Sequence, residues 1–99
     1  MTEDELKALF EKHNDEYLNF ERIASHSQLT QRSDLFAFTL LDKLVPDKDQ
    51  IIGSAEHDEI YLGVDLKRLA EFATEADVVA LVRCGVRYDE DWDCLSMFV

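Results

Sequence analysis

Glycine, proline and cysteine are scarce in this chain, at three, one and two residues, and each scarcity removes a class of function. Three glycines leave little from which to build a phosphate-cradling loop, and no GxSxG, P-loop, dinucleotide fingerprint or HExxH occurs. Cys84 and Cys94 form neither a CxxC pair nor a metal-finger spacing with a histidine, so they read as small hydrophobes in a reducing compartment. Positive charge is also short, with 10 Lys and Arg against 22 Asp and Glu. Direct nucleic-acid binding needs a basic footprint and is therefore not expected. No apolar run approaches the roughly 18 residues of a membrane span, and the opening "MTEDELKALF" has no basic segment followed by an apolar one. The expectation is a cytoplasmic chain without membrane association, cofactor or metal.

What the chain does contain is enough apolar material to fold. Hydrophobic residues make up 46% and aromatics 10% of 99 residues, which is unlike a disordered acidic tail and suits one small domain spanning 1–99. The net charge of −12 exceeds the magnitude of about 2 to 8 that keeps a small domain soluble. Such an excess costs stability through self-repulsion, and it points to basic partners.

Local signals divide the chain into elements. Thr2 with Glu5 forms a capping box ahead of a stripe at Leu6, Phe10, His13, Tyr17, Phe20 and Ala24, with "HND" at 13–15 as a point where the helix could break. The polar stretch 25–33 is a connector. Ser33 or Asp34 is placed to cap "LFAFTLLDKLV", apolar on most of its circumference and read as the central buried helix, which Pro46 ends. "IIGSAEHDEIYLGV" predicts a hairpin, with Ile60, Leu62 and Val64 on one face, Tyr61 on the other, and Gly53 and Gly63 at bulges or close approaches. Asp65 and the Thr74–Asp77 pair cap two short helices, and Gly85 terminates the second. "CLSMFV" is too short for a helix and predicts a third strand beside the hairpin. The expected architecture is α+β: N-terminal helices, a β-hairpin, two short helices and a C-terminal strand, giving a small, mainly antiparallel three-stranded sheet packed on the helix at 35–45. Its core is expected to include Leu6, Phe10, Phe36, Leu40, Leu44, Ile60, Leu62, Leu69, Val79, Val82, Leu95 and Met97.

The chemical constellations are weak. Asp89, Asp91 and Asp93 occupy the first, third and fifth positions of a calcium loop, but Cys94 stands where the turn needs glycine and the twelfth position falls beyond Val99. A solvated acidic loop explains them better. His13 reads as a packed histidine, His26 as part of a connector and His57 as a hairpin tip. Ser25, His26 and Ser27 are adjacent only in sequence, whereas nucleophilic catalysis needs convergence in space. "MFV" also matches the loose apolar pattern read by carboxylate-capturing domains, a match common by chance.

The remaining signal is charge distribution. Acids in the first turns of helices complement the macrodipole, whereas Glu56, Asp58 and Glu59 at the hairpin and Asp89, Glu90, Asp91 and Asp93 near the end have no such local role. With Trp92 and Tyr88 beside them as hot-spot anchors, these residues form the candidate partner-binding site. The expectation is a non-catalytic inhibitor or regulator whose acidic surface imitates nucleic acid before a basic, nucleic-acid-handling protein. Restriction, CRISPR and nuclease-immunity inhibitors supply the analogy of type. A small acidic accessory or structural subunit and adaptation to high salt are the competing explanations.

Overall fold

The computed structural model describes residues 1–23 and 30–98; Ala24, Ser25, His26, Ser27 and Val99 lie outside the described residues. Helix α1 (Glu3–Lys12) is followed by two single 3-10 turns at Asn14–Glu16 and Phe20–Arg22, then by α2 (Ser33–Leu44), β1 (Ile52–Glu56), β2 (Glu59–Leu62), α3 (Leu66–Phe72), α4 (Glu75–Arg83), β3 (Arg87–Asp89) and β4 (Cys94–Phe98). The result is an α+β fold with a four-stranded antiparallel sheet in the order β1-β2-β4-β3.

Most boundaries form for the reasons written in the sequence. Thr2 and Glu5 complete a capping box on α1, Thr74 and Asp77 complete another on α4, and Asp65 accepts from the Lys67 and Arg68 amides at the start of α3. Each cap satisfies amides that a helix start leaves without partners. Helix α2 departs from this pattern: Arg32 is its N-cap and makes no side-chain cap bond, while the Asp34 carboxylate accepts from the adjacent Leu35 amide. The predicted 6–24 stripe is broken after Lys12, with His13 as the C-cap. Leu6 and Phe10 are buried, and Tyr17 and Phe20 still pack on the core from the 3-10 segment.

The end of α4 is set by Gly85. Its φ of +95° places it in the left-handed region, and the Gly85 and Val86 amides donate to the Val82 and Leu81 carbonyls, closing a Schellman motif. Leu18, itself left-handed at φ 61°, donates its amide to the Val82 carbonyl and lays its side chain over the glycine. A Cβ at Gly85 would stand 2.7 Å from Leu18 Cδ2.

Three expectations are corrected: the number of strands, the packing of α2 and part of the core. Residues 87–89 form a fourth strand, so the terminal acids occupy a β3–β4 hairpin turn instead of a helix-to-strand connection. Helix α2 is not the sheet's principal support: the helix running closest to the sheet is α1, beside β3, while α2 lies against α4. On α2 the buried row is Ala37, Leu41 and Val45, whereas Phe36, Leu40 and Leu44 are half-buried and Leu35 is exposed. Ala37 is fully buried in that inward-facing row. Ile60 and Val79 are also only partly buried; Leu62, Leu69, Val82, Leu95 and Met97 are core residues as expected.

Ion pairs join the parts. Glu16 accepts from Arg83 at 3.0 Å and from Arg22 at 2.9 Å, linking both 3-10 turns to α4. Glu75 receives His13 at 2.7 Å and Lys12 at 3.3 Å, fastening the end of α1 to the start of α4. Arg83 beside Glu16 holds that carboxyl below its ordinary range.

These observations give three tests. Gly85→Ala should lower unfolding free energy by about 1–3 kcal/mol through left-handed strain; a loss under about 0.5 kcal/mol in urea denaturation would show that the cap relaxes freely. Leu41→Ala should cost about 2–5 kcal/mol and Leu40→Ala less than half as much, and equal losses would contradict the facing of α2. Because the Glu16 pKa is depressed in the folded state, its contribution is full at neutral pH and is lost as pH falls through the folded value. The melting-temperature gap between the wild type and Glu16→Gln should therefore close well below about pH 4, and a gap unchanged at pH 3 would refute the assignment.

Candidate partner-binding surface

The β1–β2 hairpin turns at His57 and Asp58, with His57 at φ 55°. A positive φ at the first of two turn residues suits the twist of paired strands. The register shifts at Gly53, where an added Cβ would meet the Gly63 backbone at 3.5 Å, so both glycines mark one bulge and close approach. This pairing sets Glu56 directly opposite Glu59 and Ser54 opposite Tyr61. Like charges directly opposed across a ladder destabilise it.

The β3–β4 turn is organised by its own acids. Asp89 Oδ1 accepts the Asp91 amide at 2.9 Å and the Trp92 amide at 3.2 Å, which is the way aspartate shapes a turn. Asp93, at φ 49°, turns instead toward α1: its Oδ1 accepts the Tyr88 hydroxyl at 2.6 Å and pairs with Lys7 Nζ at 2.8 Å. Lys7 and Tyr88 hold the Asp93 carboxyl below the usual range, while the same hydrogen bond raises the Tyr88 phenol.

Strand register then decides what shares a face. Ile60, Leu62, Leu95 and Met97 point inward, which leaves Glu59, Tyr61, Ser96 and Phe98 on the opposite face with Arg87 beside Ser96 and Asp89 beside Cys94. Trp92, 64% exposed, leans from its turn onto Tyr61 with ring centroids 5.7 Å apart. Burial raises the Tyr61 phenol first, and the fields of Glu59, Glu56 and Asp89 raise it further. Cys94 is likewise raised, by burial and then by Asp89, Asp93 and Glu59. Carboxylates from three strands thus converge on one aromatic corner. Arg87 is the cation set among them, 2.8 Å from Glu59 and stacked 4.4 Å from the Phe98 ring centre.

The sequence-selected residues therefore separate into three groups. Glu56, Glu59, Asp89 and Trp92 gather around Tyr61 on the outer face. Asp58 lies at the tip of one hairpin and Glu90 with Asp91 at the tip of the other; because β2 and β4 are antiparallel, the tips lie at opposite ends of the sheet. Tyr88 and Asp93 are committed to α1. Sequence reasoning overlooked Tyr61, Arg87 and Phe98 as members of the surface. Only Tyr61 had left a signal, its position out of phase with Ile60 and Leu62.

Other candidate chemistry disperses. Asp89, Asp91 and Asp93 do not converge as a calcium loop, and among the described residues no group of three or more His, Cys, Asp or Glu is arranged to hold a metal ion. His13 is bound to Glu75 and His57 stands at an exposed tip. Cys84 and Cys94 are free thiols, and burial pushes Cys84 up to about 12, far from a reactive thiolate. A groove of about 450 Å³ runs between α1 and β3, lined by Phe10, Glu11, Asn14, Tyr17 and Tyr88 among others. Its two cations, Lys7 and Arg87, are already engaged by Asp93 and Glu59, so it offers less to a charged ligand than the outer face.

The chain matches no family model, no curated protein and no solved structure. No helix among the described residues is long and apolar enough to cross a membrane.

Proposed function

We propose that the protein is a non-catalytic inhibitor or regulator that docks its acidic outer sheet face and hairpin tips on a basic, nucleic-acid-handling protein in the cytoplasm, in the manner of anti-restriction, anti-CRISPR or nuclease-immunity proteins. The observation that carries this reading is the strand register that sets Glu56, Glu59 and Asp89 on the same outer face as Tyr61, against which Trp92 leans. Arg87 answers Glu59 but leaves Glu56, directly opposite it, as exposed negative charge beside a large exposed aromatic ring that can anchor a partner. Such a surface speeds encounter with a basic groove and disfavours acidic partners. Asp89 and Asp93 are poor probes of docking, since they hold the turn and Lys7; Glu56, Glu90 and Asp91 are exposed and better suited.

The test is capture from host lysate at low and high salt, with and without competing DNA, comparing the wild type with the combined Glu56→Lys, Glu90→Lys and Asp91→Lys variant. The expected result is a nucleic-acid-binding protein retained at low salt, displaced by DNA and lost by a folded variant. Retention of one abundant complex regardless of salt, competitor and charge reversal would sink the reading and favour an accessory subunit.

A further inference from the structure

On the outer face, Ser54, Glu56, Tyr61, Trp92 and Cys94 line a cleft of about 150 Å³. It is smaller than the roughly 300–1,000 Å³ of sites that enclose a drug-sized ligand, and its size suits one side chain. Two of its walls are the Tyr61 and Trp92 rings, inclined at 50° to each other. Its rim carries the Glu56 carboxylate, and the fields of Glu59 and Asp89 reach the Tyr61 hydroxyl between them. None of the lining residues is a lysine or arginine. An aromatic corner under negative potential recognises a cation through its ring faces, and a planar one best.

A second observation specifies the cation. On the same face the chain already seats one guanidinium in this way: Arg87 lies over the Phe98 ring at 4.4 Å while its Nη2 meets Glu59 at 2.8 Å. The cleft repeats that ring-and-carboxylate arrangement one strand over, with Tyr61 and Trp92 as the rings and Glu56 as the carboxylate, and among the described residues no lysine or arginine lines it. We infer that this cleft is a socket for a single arginine side chain of the partner, its guanidinium against Trp92 and Tyr61 and its N–H groups donating to Glu56. The inference rests on the reading that this face docks a basic protein, and it names the group on that protein which enters.

Trp92 is the only tryptophan, so its fluorescence reports the socket directly. The probes are a blocked Gly-Arg-Gly peptide and its citrulline and lysine counterparts, titrated into the intact protein in the absence of any partner. Saturable quenching by the arginine peptide is expected, at least about fivefold tighter than by either counterpart, because citrulline lacks the charge and lysine the planar fork. Glu56→Gln should weaken arginine binding about fivefold or more, while Glu71→Gln, an exposed acid on α3, should leave it unchanged. Equal binding of citrulline or lysine, or equal loss in both variants, would overturn the socket by reducing the effect to ring contact or overall charge. The outcome is separable from the lysate experiment. A titration that fails while charge reversal still releases a nucleic-acid-binding partner removes only the socket, and one that succeeds while capture is indifferent to charge removes only the mimicry.

Discussion

The structure depends on how 10 basic residues are distributed among 22 acidic ones. Among the described residues, five of them stand at joints. Lys7 fastens α1 to the β3–β4 turn through Asp93, Lys12 fastens the end of α1 to α4 through Glu75, Arg22 and Arg83 share Glu16, and Arg87 reaches Glu59 on β2 from β3. Exposed pairs of this kind contribute little individually. Their effect here is selective: a self-repelling chain is neutralised where its elements meet, and the apolar core does the rest. The Glu16–Arg83 pair is the least exposed of the five, and it holds the irregular segment after α1 against the helix that bears the Gly85 cap.

Placement of cations at joints leaves the surface asymmetric. On the sheet face opposite the core, Glu56, Glu59 and Asp89 surround Tyr61 with Arg87 as the opposing charge, and that charge is spent on Glu59. A hairpin that sets Glu56 opposite Glu59 and turns through a left-handed histidine works against local preference, and Arg87 relieves only the Glu59 side of that opposition. Local conflicts of this sort are expected where function and folding make different demands on the same residues.

Legibility followed range. The caps of α1, α3 and α4, the proline stop, the glycine terminator and the β1–β2 hairpin are decided within a few residues and were readable because the groups that satisfy each other are close in sequence. The cap expected at Ser33 or Asp34 did not form, and Arg32 takes that place. Strand β3 was not readable: Arg87, Tyr88 and Asp89 show one inward residue between two outward polar ones, and only pairing with β4 makes a strand of them. Helix α2 is apolar nearly all round, so its periodicity does not separate the Leu40 row from the Leu41 row; tertiary packing buries the row of Ala37, Leu41 and Val45. At the surface, composition announced the acids but not their assignments. Asp93 belongs to Lys7 and Tyr88, contacts that bring the two ends of the chain together and leave no local pattern.

Charge alone is too sparse to make the outer face a good replica of duplex DNA. A five-residue strand spans about 17 Å, over which duplex DNA presents about ten charges at one per roughly 1.7 Å. The face and its tips carry fewer, at Glu56, Asp58, Glu59, Asp89, Glu90 and Asp91, and one of these is neutralised by Arg87. Imitation of phosphate density would therefore bring a basic partner close without holding it. The holding must come from groups that nucleic acid shares only in part: flat rings that stack against cationic side chains, beside carboxylates that accept their hydrogen bonds. Trp92 and Phe98, both more than half exposed on this face, are the residues positioned to do so. On the proposed reading, electrostatics would set the rate and choice of partner, and the aromatic corner would set the lifetime of the complex.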